Sequence, residues 1–169
     1  MSLRLRDVTS DDLALIGSWL QAEAVRRAWG DPEANLRLLR EPPAAGNGRA
    51  VVEAEGRAVG LVPWQQPTRA ELDLAGLTDI PTSVVDIDVL IGEPAAQGRG
   101  LGAAAIGLVA EHALADPAVP YVMACVAPDN LASLRAFAKA VFGQDRVFDD
   151  VPQGPHLLLV RRRQEGPAA

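Results

Sequence analysis

The sequence predicts an α/β protein with a mixed central sheet of six to seven strands and about four flanking helices. Three observations carry this. Short Val-, Ile- and Leu-rich runs alternate with segments of helical periodicity, and two strand–helix–strand units cluster in the second half. The strongest strand, Ser83–Ile91, runs through a glycine-rich turn into a helix. A chain of 169 residues has room for one compact domain, expected over residues 1–169 with a disordered tail at 164–169.

The elements follow in order. Leu3–Val8 alternates Leu and Arg and predicts a strand. Thr9 or Ser10 caps a helix in which Asp11 and Asp12 favour the N-terminus and Leu13, Ile16 and Leu20 share a face. Pro32 suits the first turn of a short helix reaching Arg40. Arg49–Glu55 and Arg57–Gln65, separated by Gly56, predict a β-hairpin, and the acidic stretch to Pro81 a loop or irregular insertion. After Ser83–Ile91, a helix is expected from about Gly102 to Ala115, ended by Asp116-Pro117. Tyr121–Val126 is a further strand. Asp129 or Asn130 then caps a helix to about Val141, with Leu131, Leu134, Ala138 and Val141 as its buried stripe. Arg146–Val151 and His156–Arg163 close the chain as paired strands.

Composition excludes several functions. The formal charge is −6, which argues against nucleic acid or an anionic membrane as partner, since both need a basic face. One Cys rules out disulfide frameworks and multi-thiolate metal sites, and His112 and His156 have no metal-ligand spacing, so no metal is expected. No apolar run reaches the length of a membrane span and no signal-peptide pattern opens the chain, so a cytoplasmic location is expected. The charge is also localised. From Ala70 to Gly98 there are six acids and no bases, equal to the net charge of the whole chain. Such a window is either a solvated face or a site for a cationic ligand.

Gln97-Gly98-Arg99-Gly100-Leu101-Gly102 carries the chemistry. Glycines at alternate positions let main-chain N–H groups converge without Cβ obstruction, and they lead into a helix N-terminus; that combination suits phosphate. It has neither the dinucleotide-fold spacing nor a Gly-Lys-Ser/Thr P-loop. Just before it, Val84, Asp86, Asp88 and Leu90 share one face of the strand and Val85, Ile87, Val89 and Ile91 the other, with the two carboxylates about 7 Å apart. Acids are depleted in strands, so this pair is a candidate site.

Gln97–Gly102 resembles the pyrophosphate loop of the GNAT superfamily of N-acetyltransferases, and the element order resembles that fold from about residue 3 to 162. Asn130-Leu131-Ala132-Ser133-Leu134-Arg135 is similar to the family segment that enters the helix beside the coenzyme. Leu5–Thr9, Asp12-Leu13, Trp19-Leu20, Trp29-Gly30, Ile87-Asp88 and Asp116-Pro117 most resemble the aminoglycoside 6'-N-acetyltransferase branch.

The resemblance implies that the fourth and fifth strands splay to admit acetyl-CoA as cosubstrate. Val89, Leu90 and Ile91 would lie along its pantetheine. Gln97, Gly98, Arg99, Gly100, Leu101 and Gly102 would hold the pyrophosphate, and Asn130 and Phe137 would lie beside the coenzyme arm. Asp88 matches the branch's catalytic carboxylate, which takes a proton from the acceptor amine, with Asp86 raising its pKa. Trp29 and Trp64 would rim the acceptor pocket, since aromatic faces suit ammonium groups. The chain also departs from the family: Phe137 stands where many relatives place a Tyr that protonates the departing thiolate, and the acidic, Trp-containing run before the fourth strand is reduced to Glu71-Leu72-Asp73-Leu74.

The function implied is transfer of acetyl to a primary amine of a cationic small molecule, aminoglycoside-type acceptors leading, by a monomer or homodimer. The rivals are a siderophore-precursor or protein N-terminal amine acetyltransferase, a weakly catalytic CoA-binding module, and an interaction protein.

Overall fold

The computed structural model describes residues 2–151 and 153–164; the tail expected at 164–169 falls, from residue 165, outside them. Eight strands form one mixed sheet: β1 (Leu3–Asp7), β2 (Gly48–Ala54), β3 (Arg57–Gln65), β4 (Val85–Ile87), β5 (Leu90–Ile91), β6 (Tyr121–Val126), β7 (Gly143–Asp150) and β8 (Gly154–Arg162). Their order is β1-β2-β3-β4-β6-β8-β7, with β5 paired to β3. Among the described strands only β4 and β6 run parallel. Glu55 and Gly56 join β2 to β3 at φ 53° and 78°, the twist that a two-residue hairpin requires.

Among the described residues six α-helices accompany the sheet: α1 (Leu13–Leu20), α2 (Glu23–Trp29), α3 (Pro32–Arg40), α4 (Arg69–Leu74), α5 (Leu101–Leu114) and α6 (Leu131–Lys139). The architecture agrees with the expected α/β class; the counts are higher. Two helices were not anticipated. α2 has Ala22 as its N-cap, which offers no capping side chain, and buries none of its residues fully, so neither its start nor a stripe marks it in the sequence. α4 replaces the expected loop and is started by a capping box in which the Thr68 hydroxyl accepts from Glu71 N–H while the Glu71 carboxylate accepts from Thr68 N–H.

α6 also differs from expectation. It ends at Lys139, and Val141 lies beyond it at φ 67°, exposed, as is Leu131. Its buried face is Phe137, with Ala140 just past its end, against α5 and the sheet.

The two faces of the sheet are covered unequally. On one face, α5 and α6 seal a continuous core that includes Val85 and Ile87. On the other, α1 and α3 cover Leu61 and Leu90, while α4 and the chain after it cover Val84 and Met123. Between these two covers the sheet is open at Asp86 and Asp88. An ion-pair network around the buried acids Asp12 and Glu53 fixes the start of the chain: Arg6 donates to both oxygens of Asp12 and to Glu53, and Arg4 donates to Glu53. No helix among the described residues is long and apolar enough to cross a membrane.

Candidate active site

The expected fourth strand is broken into β4 and β5. Asp88 and Val89 lie between them, where the Asp88 carboxylate accepts from the Val89 N–H at 3.0 Å and the Asp88 N–H donates to Pro63 C=O. Beyond the break the segment pairs with β3 alone, because Gly60 opposite Ile91 lets the backbones close; a Cβ there would stand 2.3 Å from Leu90 O. β4 and β6 pair through only Val85↔Val122 and Asp86↔Met123, and then separate. The splay is therefore present, and it is made by the segment keeping β3 as its neighbour while it parts from β6.

Side-chain alternation survives the break. Val84, Asp86, Asp88 and Leu90 stay on one face and Val85, Ile87, Val89 and Ile91 on the other. Asp86 and Asp88 open into a cleft of about 500 Å³ that is also bordered by Trp29, Asn35, Pro42, Arg49 and Trp64. A second cavity, a groove of about 480 Å³, is bordered by Val89, Leu90, Ile91, Gln97, Gly98, Gly100, Leu101, Gly102 and Asn130. Cleft and groove are adjacent: Asp88 lines one and Val89 the other, and Ala28 and Trp29 of α2 border both.

The groove ends at the N-terminus of α5. Gly98 and Gly100 have φ of 73° and 81°, and Gly100 is the N-cap in the left-handed region, where any other residue is strained. Ala104 N–H makes the first helical bond, to Gly100 C=O, which leaves the N–H groups of Leu101, Gly102 and Ala103 without intrahelical partners. Three such donors at the positive end of a 14-residue helix suit an anion. Gln97 donates from its side chain to Ile91 C=O at 2.9 Å, tying the loop to β5. Asn130 caps α6 by accepting from Ser133 N–H.

Two expected coenzyme residues lie elsewhere. Phe137 is fully buried, edge-on to Phe142 with ring centres 5.1 Å apart, because the side of α6 that carries it faces the core. Arg99 does not border the groove; its guanidinium lies 3.9 Å from the Glu55 carboxylate, toward the β2–β3 turn. Two cations of the groove were not among the expected coenzyme residues. Arg135 and Lys139 of α6 both border it, and their i, i+4 spacing places them on one helix face, a signal that was available. Trp19 is core and donates its indole N–H to Glu93 at 3.0 Å.

The electrostatics of the cleft follow from its shape. Burial pushes the Asp88 carboxyl up to about 6, although its mouth side is open to solvent; the Val89 N–H opposes this. Asp86 is raised well above the carboxylate range, first by burial and then by the negative charges of Asp88 and Glu71. Burial lifts both carboxyls, and the repulsion between Asp86 and Asp88 belongs to the pair. Burial also pushes up the Cys125 thiol, with Asp86 adding, so it is no nucleophile. Among the described residues no cluster of His, Cys, Asp or Glu could hold a metal.

Comparisons with known proteins agree with this geometry. The family model of the acetyltransferase (GNAT) domain matches residues 8–150. Aminoglycoside N(6')-acetyltransferase type 1 of Klebsiella pneumoniae is 26% identical over 170 aligned positions, covering 96% of this chain and 84% of the relative. The crystal structure of aminoglycoside acetyltransferase AAC(6')-Ib in complex with coenzyme A and kanamycin superposes with a TM-score of 0.77 at 22% identity, over 96% of this chain and 95% of that one. A chimeric spermidine N-acetyltransferase from Vibrio cholerae and hSSAT shares the fold, with a TM-score of 0.73 at 15% identity over 96% of each chain. With a splayed strand, a glycine loop on a helix N-terminus and a family match over most of its length, the chain belongs to the GNAT acetyltransferase family.

Proposed function

We propose that this chain is an acetyl-CoA-dependent N-acetyltransferase that acetylates a primary amine of a polycationic small molecule, aminoglycoside-type acceptors being favoured, and that it works as one domain over residues 1–169. The observation that carries this is the one-residue step from Asp88, in an acidic cleft, to Val89, in a groove that ends on an anion-binding helix. The relatives at 26% identity act on aminoglycosides, and the acidity of the cleft suits such acceptors.

The groove fits the coenzyme: an apolar channel along Val89–Ile91 and Ala136 for its arm, and the N–H groups of Leu101–Ala103 for its phosphates. Bound there, acetyl-CoA supplies the thioester whose C–S bond is exchanged for a C–N bond. Asp88 attracts the acceptor ammonium and takes its proton, directly or through water, freeing the nitrogen lone pair. A carboxylate poised near 6 is mostly ionised at neutral pH and still a better base than an ordinary Asp. Asp86 and the faces of Trp29 and Trp64 hold the rest of the cation. With Phe137 in the core, water protonates the departing thiolate. Thiol release from acetyl-CoA tests this against aminoglycosides, polyamines, hydroxylysine and peptide amines. Turnover highest with aminoglycosides is expected, and release no faster than hydrolysis with every amine would overturn it.

A further inference from the structure

Arg49 is out of place on charge grounds. It borders the cleft that holds Asp86 and Asp88, yet among the described residues no carboxylate pairs with it. A free cation there would repel a cationic acceptor. Its guanidinium instead donates to three carbonyls: Leu38 at 2.9 Å, Leu39 at 2.8 Å and Glu41 at 2.5 Å. The first two belong to the last turn of α3, whose carbonyls have no helical partner and form the negative end of the helix.

The segment held in this way is the outer wall of the cleft. Leu38, Leu39, Glu41, Pro42, Pro43, Ala44 and Asn47 all border it. This wall has no strand ladder to hold it, and Pro42 and Pro43 have no N–H to give. Besides Arg49, it is fastened by Leu39, which packs on the cluster that includes Leu61 and Leu90, and by Asn47, whose side-chain oxygen accepts from Gln66 N–H at 2.9 Å. We infer that Arg49 is a positioning residue for the acceptor: from β2 it clamps the end of α3 and the Pro42-Pro43 strap into a wall of fixed shape, its charge turned onto carbonyls and away from the substrate. The inference rests on the proposed function only for what fills the cleft.

Charge and clamp predict opposite signs, which makes the test sharp. The variants are Arg49→Met and Arg49→Lys, with amine KM, acetyl-CoA affinity by calorimetry and backbone hydrogen exchange over residues 38–47 as readouts. A clamp predicts that both variants raise amine KM by about tenfold, the worth of one or two hydrogen bonds. It also predicts faster exchange over the wall and unchanged acetyl-CoA affinity, which shows an intact fold. Lys keeps the charge but cannot reach three carbonyls in a planar fork. A lower amine KM in Arg49→Met, Arg49→Lys behaving as wild type, or exchange unchanged over 38–47 would overturn the clamp. If the wild type acetylates no amine, the functional proposal fails alone, and exchange still decides the clamp.

Discussion

Along the groove the working groups are mostly main chain: three N–H donors at the start of α5, two glycines at positive φ, and a strand break that frees Val89. Across the Asp88–Val89 step the cleft is made of side chains brought from α2, α3, the Pro42–Asn47 strap, β2, β3 and β4. The contrast teaches what each cavity must do. A coenzyme common to a family can be held by backbone, whose geometry depends on where glycine stands. An acceptor particular to one member must be met by side chains, which can change without disturbing the fold. Variants in the cleft should therefore alter amine parameters alone, and variants in the groove coenzyme parameters alone.

The largest expected breach is Asp88→Asn. It removes the proposed base but leaves shape and size, so kcat should fall by about 100-fold or more with acetyl-CoA affinity unchanged. In the wild type, log kcat/KM should rise with unit slope below pH 6 and level off above it, because Asp88 must be ionised to accept the proton. A profile with no inflection near 6, or turnover in the Asn variant within threefold of wild type, removes Asp88 from the mechanism.

The converse variant is Gly102→Val. A Cβ at Gly102 would already touch Ile91, Ala136 and Val89 at 3.6–3.8 Å, and the two methyls beyond it would enter the groove. Acetyl-CoA KM should rise about tenfold, equivalent to 1.4 kcal/mol, with amine KM unmoved. Equal rises in both would dissolve the distinction between the cavities, which share only Ala28 and Trp29.

The same contrast explains what was legible in the sequence. The glycine loop, the hairpin turn and the alternation of Asp86 and Asp88 are local, so spacing alone revealed them. The cleft is not local: Asn35 and Arg49 acquire a role only when α3 folds over β2, and nothing near them in the chain marks it. Two misses had signals: Thr68-Arg69-Ala70-Glu71 is a capping box, and Arg135 and Lys139 share a helix face. Val141 fits the apolar period of α6 and is exposed only because the helix ends before it, at Lys139. The break at Asp88–Val89 had none, since it depends on Gly60 in another strand.

Phe137→Tyr tests the groove from beneath. Family resemblance suggests that a Tyr there restores an acid for the thiolate, but the ring is in the core against Phe142. The new hydroxyl would be buried without a partner, at a cost of about 1–3 kcal/mol. Lower thermal stability and turnover within about twofold of wild type are expected. A several-fold gain in kcat would mean that the side chain reaches the groove.

The smallest effect concerns stability. Asp86 has a folded-state pKa raised above its unfolded value, so the native state binds the proton more tightly than the unfolded chain. The sign follows: as pH rises from the unfolded value near 3.8, ionising Asp86 costs the native state more than the unfolded one, and stability falls until the raised pKa is passed. Asn cannot ionise and escapes that cost. Asp86→Asn should therefore melt higher than wild type at pH 8 and level with it at pH 3.5, each kcal/mol appearing as about 2–4 °C in a chain of this size. Groove variants should show no such pH-dependent gain, because no carboxylate is among the groove-lining residues. An Asn variant less stable at pH 8 than at pH 3.5, relative to wild type, would mean that the Asp86 carboxylate is held by a partner as an ion, and the acidic character of the cleft would then be structural and not a provision for a cationic acceptor.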